Sequence, residues 1–233
     1  MNCKVVQEEL ESAARADKAA FFPRFFKTGP GQYGEGDQFL GVVVPEQRKI
    51  AKRYRELPLV EVARLLASDY HECRLTALLI LVEAYERART LGERAVLCDF
   101  YLEHLDRVNN WDLVDSSAPK ILGPYLWELQ DFSRLYELAS SGHLWRERVA
   151  VLATFAHIRK GHFRDTLALC EGFLEHPHDL IHKATGWALR EVGKKCPDTL
   201  RDFLQKWKAR MPRTMLRYAI EHFAAEERQR WMH

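Results

Sequence analysis

The sequence predicts an all-α protein built from successive antiparallel helix pairs, and three observations carry that prediction. Nearly every segment places apolar residues at i, i+3, i+4 and i+7, the period of a half-buried helix. The breaks between segments are brief and have recognisable turn or cap chemistry. Strand patterns are almost absent: the one short apolar run, Phe39-Leu40-Gly41-Val42-Val43-Val44, ends at Pro45 and reads as an extended lead-in to the next helix.

Taken in order, helices are expected around 4–14, 17–27, 46–56, 59–67, 70–88, 92–106, 110–127, 131–140, 144–159, 163–175, 179–195, 197–210 and 213–231. The stripe is clearest at Val149, Leu152, Ala153 and Ala156. Ser141-Gly142, Lys160-Gly161, Pro177-His178-Asp179, Cys196-Pro197-Asp198 and Met211-Pro212 separate the later helices. Glycine ends a helix readily because it tolerates positive φ, and proline cannot continue one. The stretch Thr28-Gly29-Pro30-Gly31-Gln32-Tyr33-Gly34-Glu35-Gly36-Asp37 holds four of the twelve glycines and is the exception to the helical pattern. It lacks the spacing of a P-loop and no strand precedes it, so a mobile loop, acting as a lid or a contact for a partner, is the expectation.

From about residue 58 onward, helices of ten to twenty residues alternate with short turns, in pairs of roughly 35 to 45 residues, the period of HEAT or armadillo repeats. A single domain over 1–233 is expected, with N-terminal helices and the glycine-rich loop in 1–45 and a repeat array in 46–233. Stacked pairs would form a solenoid with a concave face able to hold an elongated ligand. A compact α-bundle with a small pocket is the competing architecture.

Composition narrows the function classes. With 233 residues and 47% hydrophobic content the chain can bury an extended core. No run approaches the roughly 18 to 20 apolar residues of a membrane span, and the N-terminus leads into an amphipathic pattern and not a signal peptide; a cytoplasmic location is expected. Cys3, Cys73, Cys98, Cys170 and Cys196 are scattered and odd in number, without a CxxC pair, so neither a disulfide framework nor a zinc site is indicated. The ten histidines show no HExxH spacing, and neither a metal nor a nucleotide cofactor is implied. Charge is uneven. From residue 141 onward, 17 Lys and Arg face 11 Asp and Glu, so a chain of net charge +2 carries a basic C-terminal part and an acidic first 140 residues. That asymmetry suits a polyanion, although solvated helix faces give the same count.

The candidate chemistry centres on Asn110-Trp111-Asp112-Leu113-Val114-Asp115-Ser116-Ser117. Trp111 and Asp115 are spaced i, i+4 and share a helix face. With Asn110 as N-cap, Asp112 falls in the first turn and has an ordinary role against the helix dipole. Asp115 lies deeper, among Leu113, Val114 and small Ser116, Ser117 and Ala118, as though something approaches the backbone closely. Three further stretches accompany it: Trp145-Arg146-Glu147-Arg148, opening a helix; Lys183-Ala184-Thr185-Gly186-Trp187-Ala188-Leu189-Arg190-Glu191, with a glycine inside a helix; and Pro23-Arg24-Phe25-Phe26-Lys27. A mid-helix glycine costs about 1 kcal/mol relative to alanine, so Gly186 also implies close approach.

Together these resemble the AlkD-type DNA alkylation repair proteins, DNA glycosylases built from HEAT-like repeats. The resemblance runs from about Phe21 to the C-terminal helix and rests on W-D-x-V-D at Trp111 to Asp115, R-x-A-x-L from Arg148, and K-A-x-G-W-x-L-R-E at Lys183 to Glu191. It implies hydrolysis of the N-glycosidic bond of N3- and N7-alkylated purines in duplex DNA by a monomer without a cofactor. Asp115 would be the catalytic carboxylate, and Trp111 and Trp187 would line the cleft beside the lesion-bearing nucleotide. Arg148 would contact the DNA backbone, with Lys183, Arg190, Arg217 and Phe25 as further DNA-facing residues. Phe25 departs from the tyrosine of the best-known relative, so any hydroxyl-mediated contact there is lost, and the glycine-rich loop is also longer here. The resemblance also implies excision without enclosing the base, which ties selectivity to leaving-group quality more than to pocket shape. Some proteins with this fold lack glycosylase activity, and a non-catalytic module that binds DNA structures is the alternative.

Overall fold

The computed structural model describes all 233 residues, Met1–His233, and is helical throughout except for one isolated parallel bridge between Gln38 and Tyr70. The chain divides into two compact units, Met1–Ile121 and Leu122–His233. The first contains α1 (Cys3–Ser12), α2 (Ala16–Phe25), α3 (Val44–Arg53), α4 (Leu59–Leu66), α5 (His71–Arg87), α6 (Leu91–Glu103), a 3₁₀ turn (Leu105–Arg107) and α7 (Trp111–Ser117). In it α5 is buried on almost all sides and packs on α3, α4 and α7. A helix apolar around its whole circumference belongs inside a core, and α5 carries Leu75, Ala77, Leu78, Leu79, Ile80 and Leu81 in near-continuous succession. Local signals set several of the ends. Asn2 caps α1, Pro45 opens α3, and Thr90 and Glu93 form a reciprocal capping box on α6. The extended run before α3 is held without a sheet: the Glu72 carboxylate accepts the amides of Leu40, Gly41 and Val42 at 2.7 to 3.2 Å.

The second unit contains α8 (Leu122–Leu129), α9 (Ser133–Ala139), α10 (Leu144–Arg159), α11 (Arg164–Gly172), α12 (Asp179–Lys195), α13 (Pro197–Trp207), a 3₁₀ turn (Lys208–Arg210), α14 (Arg213–Ala219) and α15 (Ala225–Met232). Helix α10 packs on α8, α9, α11 and α12, and α12 in turn on α11, α13 and α14, so these two helices form the centre of the unit. Two expected helices are each broken in two. The 110–127 segment ends at Ser117 and restarts at Leu122, around Pro119, whose ring removes an amide donor. The 213–231 segment turns through 220–224. No helix is long and apolar enough to cross a membrane. All five cysteines are free, with Cys73, Cys98 and Cys170 buried.

Candidate active site

In the first unit, α7 presents the motif residues to a cleft of about 530 Å³. Asn110 caps the helix as expected, its Oδ1 accepting the Trp111 amide at 2.9 Å. Trp111 and Asp115 both line the cleft and both are half-buried. Trp111 is held by aromatic neighbours from the end of α2: Phe26 stacks on it at 5.5 Å and Phe25 meets it edge-on at 5.8 Å. Phe25 is 48% exposed, so Trp111 has a partner ring that also faces solvent. The sequence-predicted residues Phe25, Trp111 and Asp115 are thus brought together on one cleft wall.

Of the small residues after Asp115, Ser116 shares the cleft wall, whereas Ser117 and Ala118 face the other way. Ser117 and Ala118 are fully buried, and Ser117 Oγ lies 2.6 Å from the Leu113 carbonyl and 3.0 Å from the Tyr101 hydroxyl. The close approach that these residues permit is therefore made by α6. Burial pushes the Tyr101 phenol well above its ordinary range, with the Asp115 charge adding to the rise, so this hydroxyl stays protonated.

Two cations absent from the sequence reading share the cleft: Arg48 from α3 and Lys120 from the turn after α7. Both also line a neighbouring hollow in which Lys49 and Lys52 of α3 face Glu83 and Glu86 of α5. No local motif marks either residue: Arg48 reaches the cleft through the packing of α3 and α7 on α5, and Lys120 through the irregular turn that follows α7.

Beneath the cleft lies a buried network that the sequence reading also missed. His71, the first residue of α5, places Nδ1 3.0 Å from Asp37 Oδ2 and Nε2 2.8 Å from Asp112 Oδ2. Arg74 donates to the other Asp37 oxygen, and Asn110 Nδ2 reaches Asp37 at 3.2 Å. Asp112 completes its own set by accepting the Leu113 amide at 2.9 Å. Because each imidazole nitrogen faces a carboxylate oxygen, each must carry a proton, and the ring is an imidazolium. Burial alone would lower the His71 pKa, but Asp112 and Asp37 outweigh it and raise it to about 9. Asp37 titrates below its ordinary value despite burial, held there by His71 and Arg74. The glycine-rich loop, expected to be mobile, is thus anchored at its last residue by two cations, and Gly34 packs so closely that a Cβ would lie 2.5 Å from the Phe26 carbonyl.

In the second unit the predicted residues lie on α10, α12 and α14. Trp187 is half-buried, edge-on to Phe155 at 4.8 Å, with Nε1 donating to Glu191 at 3.2 Å. Arg190 lies over the Trp187 ring, is paired with Glu221, and shares a hollow of about 680 Å³ with Arg217 and Arg228. Lys183 pairs with Asp179 at 2.8 Å. Arg148 is only 4% exposed and donates Nη1 to the Leu180 carbonyl at 2.6 Å, so in the free chain it braces the first turn of α12. At Gly186 a Cβ would sit 2.5 Å from the Met215 carbonyl and 2.6 Å from Tyr218 Cβ. The close approach implied by this glycine is the contact of α14 with α12. His176 and His178, flanking Pro177, belong to the same corner: His176 pairs with Glu147 at 3.0 Å and His178 Nδ1 caps the Leu180 amide at 3.1 Å.

A family model described as DNA alkylation repair enzyme matches residues 6–223. The chain belongs to the DNA alkylation repair enzyme family. Among solved structures, it is similar to one described as a predicted DNA alkylation repair enzyme from Enterococcus faecalis, with a TM-score of 0.68 and 16% identity over 91% of this chain and 97% of that one. It is also similar to the smu.31 protein of Streptococcus mutans, with a TM-score of 0.54 and 17% identity over 76% of this chain and 89% of that one. At these identities the likeness is one of fold, and it matches the all-α architecture of this chain. No curated protein matches the chain by sequence.

Proposed function

We propose that this DNA alkylation repair family member is a monofunctional DNA glycosylase that hydrolyses the N-glycosidic bond of cationic N3- and N7-alkylated purines in duplex DNA. The observation that carries the reading is Asp115, a half-buried carboxylate one helical turn from Trp111 on a cleft rimmed by Arg48 and Lys120. An alkylated purine that already bears positive charge is a good leaving group and needs little proton donation. What develops in the transition state is positive charge on the sugar. Asp115 stabilises that charge electrostatically and orients the attacking water. The face of Trp111 attracts a cationic nucleotide by about 0.5 to 2 kcal/mol, and Trp187 in the second unit offers a face of the same kind. Arg48, Lys120, Lys183, Arg190 and Arg217 hold phosphates without reading sequence. Arg148 is 4% exposed and braces the Leu180 carbonyl, so a phosphate reaches its remaining donors only if the start of α12 uncovers them, while Lys183 and Arg190 have to share their donors with, or release, Asp179 and Glu221. A monomer acting in the cytoplasm on chromosomal DNA fits this chemistry.

The test is release of N7-methylguanine from a defined duplex under single-turnover conditions, by the parent and by Asp115→Asn. Excision by the parent with loss in the variant, while duplex binding persists in both, supports the assignment. Duplex binding without excision by either protein would move the chain to the non-catalytic DNA-binding reading.

A further inference from the structure

We propose that His71, clamped between Asp37 and Asp112, is a positioning residue that fixes the helix carrying Trp111 and Asp115. The inference rests on the glycosylase reading of that helix. It starts from the shortness of α7, which has seven residues. A helix of that length does not persist on its own, so its direction must come from outside. Packing of Leu113 and Val114 against the core supplies one constraint. The other is polar and lies at the N-terminal turn, where Trp111 sits between two residues of the network. Asn110 reaches Asp37 and Asp112 reaches His71, so the backbone is pinned on both sides of the tryptophan. Asp115 follows one turn later on the same face.

The clamp joins three segments distant in sequence: the end of the glycine-rich loop, the start of α5 and the start of α7. Its charges balance, with Asp37 and Asp112 facing His71 and Arg74. Other groups near the ring do not compete for it. Glu72, its neighbour on α5, is turned to the amides of Leu40, Gly41 and Val42. From α2 and the loop the ring meets Phe26 at 4.6 Å and Phe39 at 5.1 Å, which exclude water and contribute no charge. Asp112 also lines the cleft, so commitment of its oxygens to His71 and Leu113 separates the roles of the two cleft carboxylates. Asp112 holds the helix, and Asp115 meets substrate. The imidazolium persists up to about pH 9, so the clamp is closed at neutral pH.

The experiment compares the full-length parent with His71→Gln and Asp37→Asn. Hydrogen exchange at the amides of Leu113 to Ala118 and single-turnover release of N7-methylguanine are read side by side, with duplex binding as control. Loss of the clamp is expected to speed exchange in α7 by about tenfold or more. Base release should slow by about 100-fold, the effect of a displacement near 1 Å, while duplex affinity is retained. Asp37→Asn keeps an acceptor for Arg74 and serves where His71→Gln does not fold. Parental exchange and parental rates in both variants would overturn the clamp, as would exchange that speeds equally in α10. If the parent releases no base yet α7 exchange still rises in the variants, the glycosylase reading fails and the clamp stands. If the parent excises, Asp115→Asn does not, and the clamp variants behave as the parent, the reverse holds.

Discussion

Replacing His71 by glutamine should remove a pH-dependent part of the folding free energy, and the structure sets both its sign and its size. The imidazole has an ordinary pKa of 6.5 and is raised to about 9 in the folded chain. A base whose pKa is raised on folding stabilises the folded state fully below its unfolded pKa, and the contribution is lost as pH climbs through the folded one. At about 1.36 kcal/mol per pKa unit, a rise from 6.5 to about 9 corresponds to roughly 3 kcal/mol, lost between about pH 6.5 and pH 9. His71 is buried, so solvent screening does not erase this term. Other groups also titrate under alkaline conditions: burial raises the Cys73 thiol to about 11 and drives the Cys170 thiol and Tyr101 phenol well upward. Acids raised in this way cost stability above their unfolded pKa, so the parent curve alone would mix several groups. The informative quantity is the difference between parent and His71→Gln. Urea denaturation at pH 6, 8 and 10 should show that difference shrinking by about 3 kcal/mol across the range. A parent-to-variant gap that is constant from pH 6 to pH 10 would mean that the His71 pKa is not raised on folding, and the paired carboxylates would not hold it as an imidazolium.

Other perturbations test the remaining parts. Gly186→Ala gains about 1 kcal/mol of helix propensity. It also drives a methyl against the Met215 backbone carbonyl, which cannot rotate away as a side chain can. Overpacking of this kind costs about 1 to 3 kcal/mol or more, so net destabilisation is expected in chemical denaturation, and a stabilised variant would contradict the close contact of α12 with α14. Arg48→Ala and Lys120→Ala should each lower the slope of log Kd against log salt by about one, uniformly across DNA sequences; unchanged slopes would remove the α3 rim from the DNA-facing surface.

Much of the fold is legible because helical period is a local property. The 144–159 and 179–195 helices fall where their apolar stripes place them. The expectation fails where a single residue interrupts a continuing stripe: Leu122 and Leu126 keep the helical spacing of Leu113 and Val114, so the pattern runs through Pro119 while the hydrogen bonding does not. Small residues are legible as marks of close approach, but the sequence does not say by what. For Gly186 the partner is α14, and for Ser117 it is Tyr101, so both signals report packing.

The site divides along the same line. Trp111 and Asp115 are visible because one helical turn brings them together, and the cap at Asn110 is visible for the same reason. The clamp below them is invisible because its contacts join residues 34 and 41 positions apart, with nothing in the spacing to mark either pair. Read alone, Asp37 ends a flexible-looking loop, His71 opens an ordinary helix and Asp112 is a first-turn carboxylate. Only packing of α7 on α5 turns these three unremarkable residues into one buried unit. Its position explains how a short helix can hold Trp111 and Asp115 in place. A cleft that holds a carboxylate beside an aromatic face must stay open to an incoming duplex, so the rigidity it needs has to come from the side away from solvent. The ionic clamp, buried at the floor of the cleft where His71 and Asp112 line it, supplies that rigidity, and its polar groups are the means by which an exposed site keeps a fixed geometry.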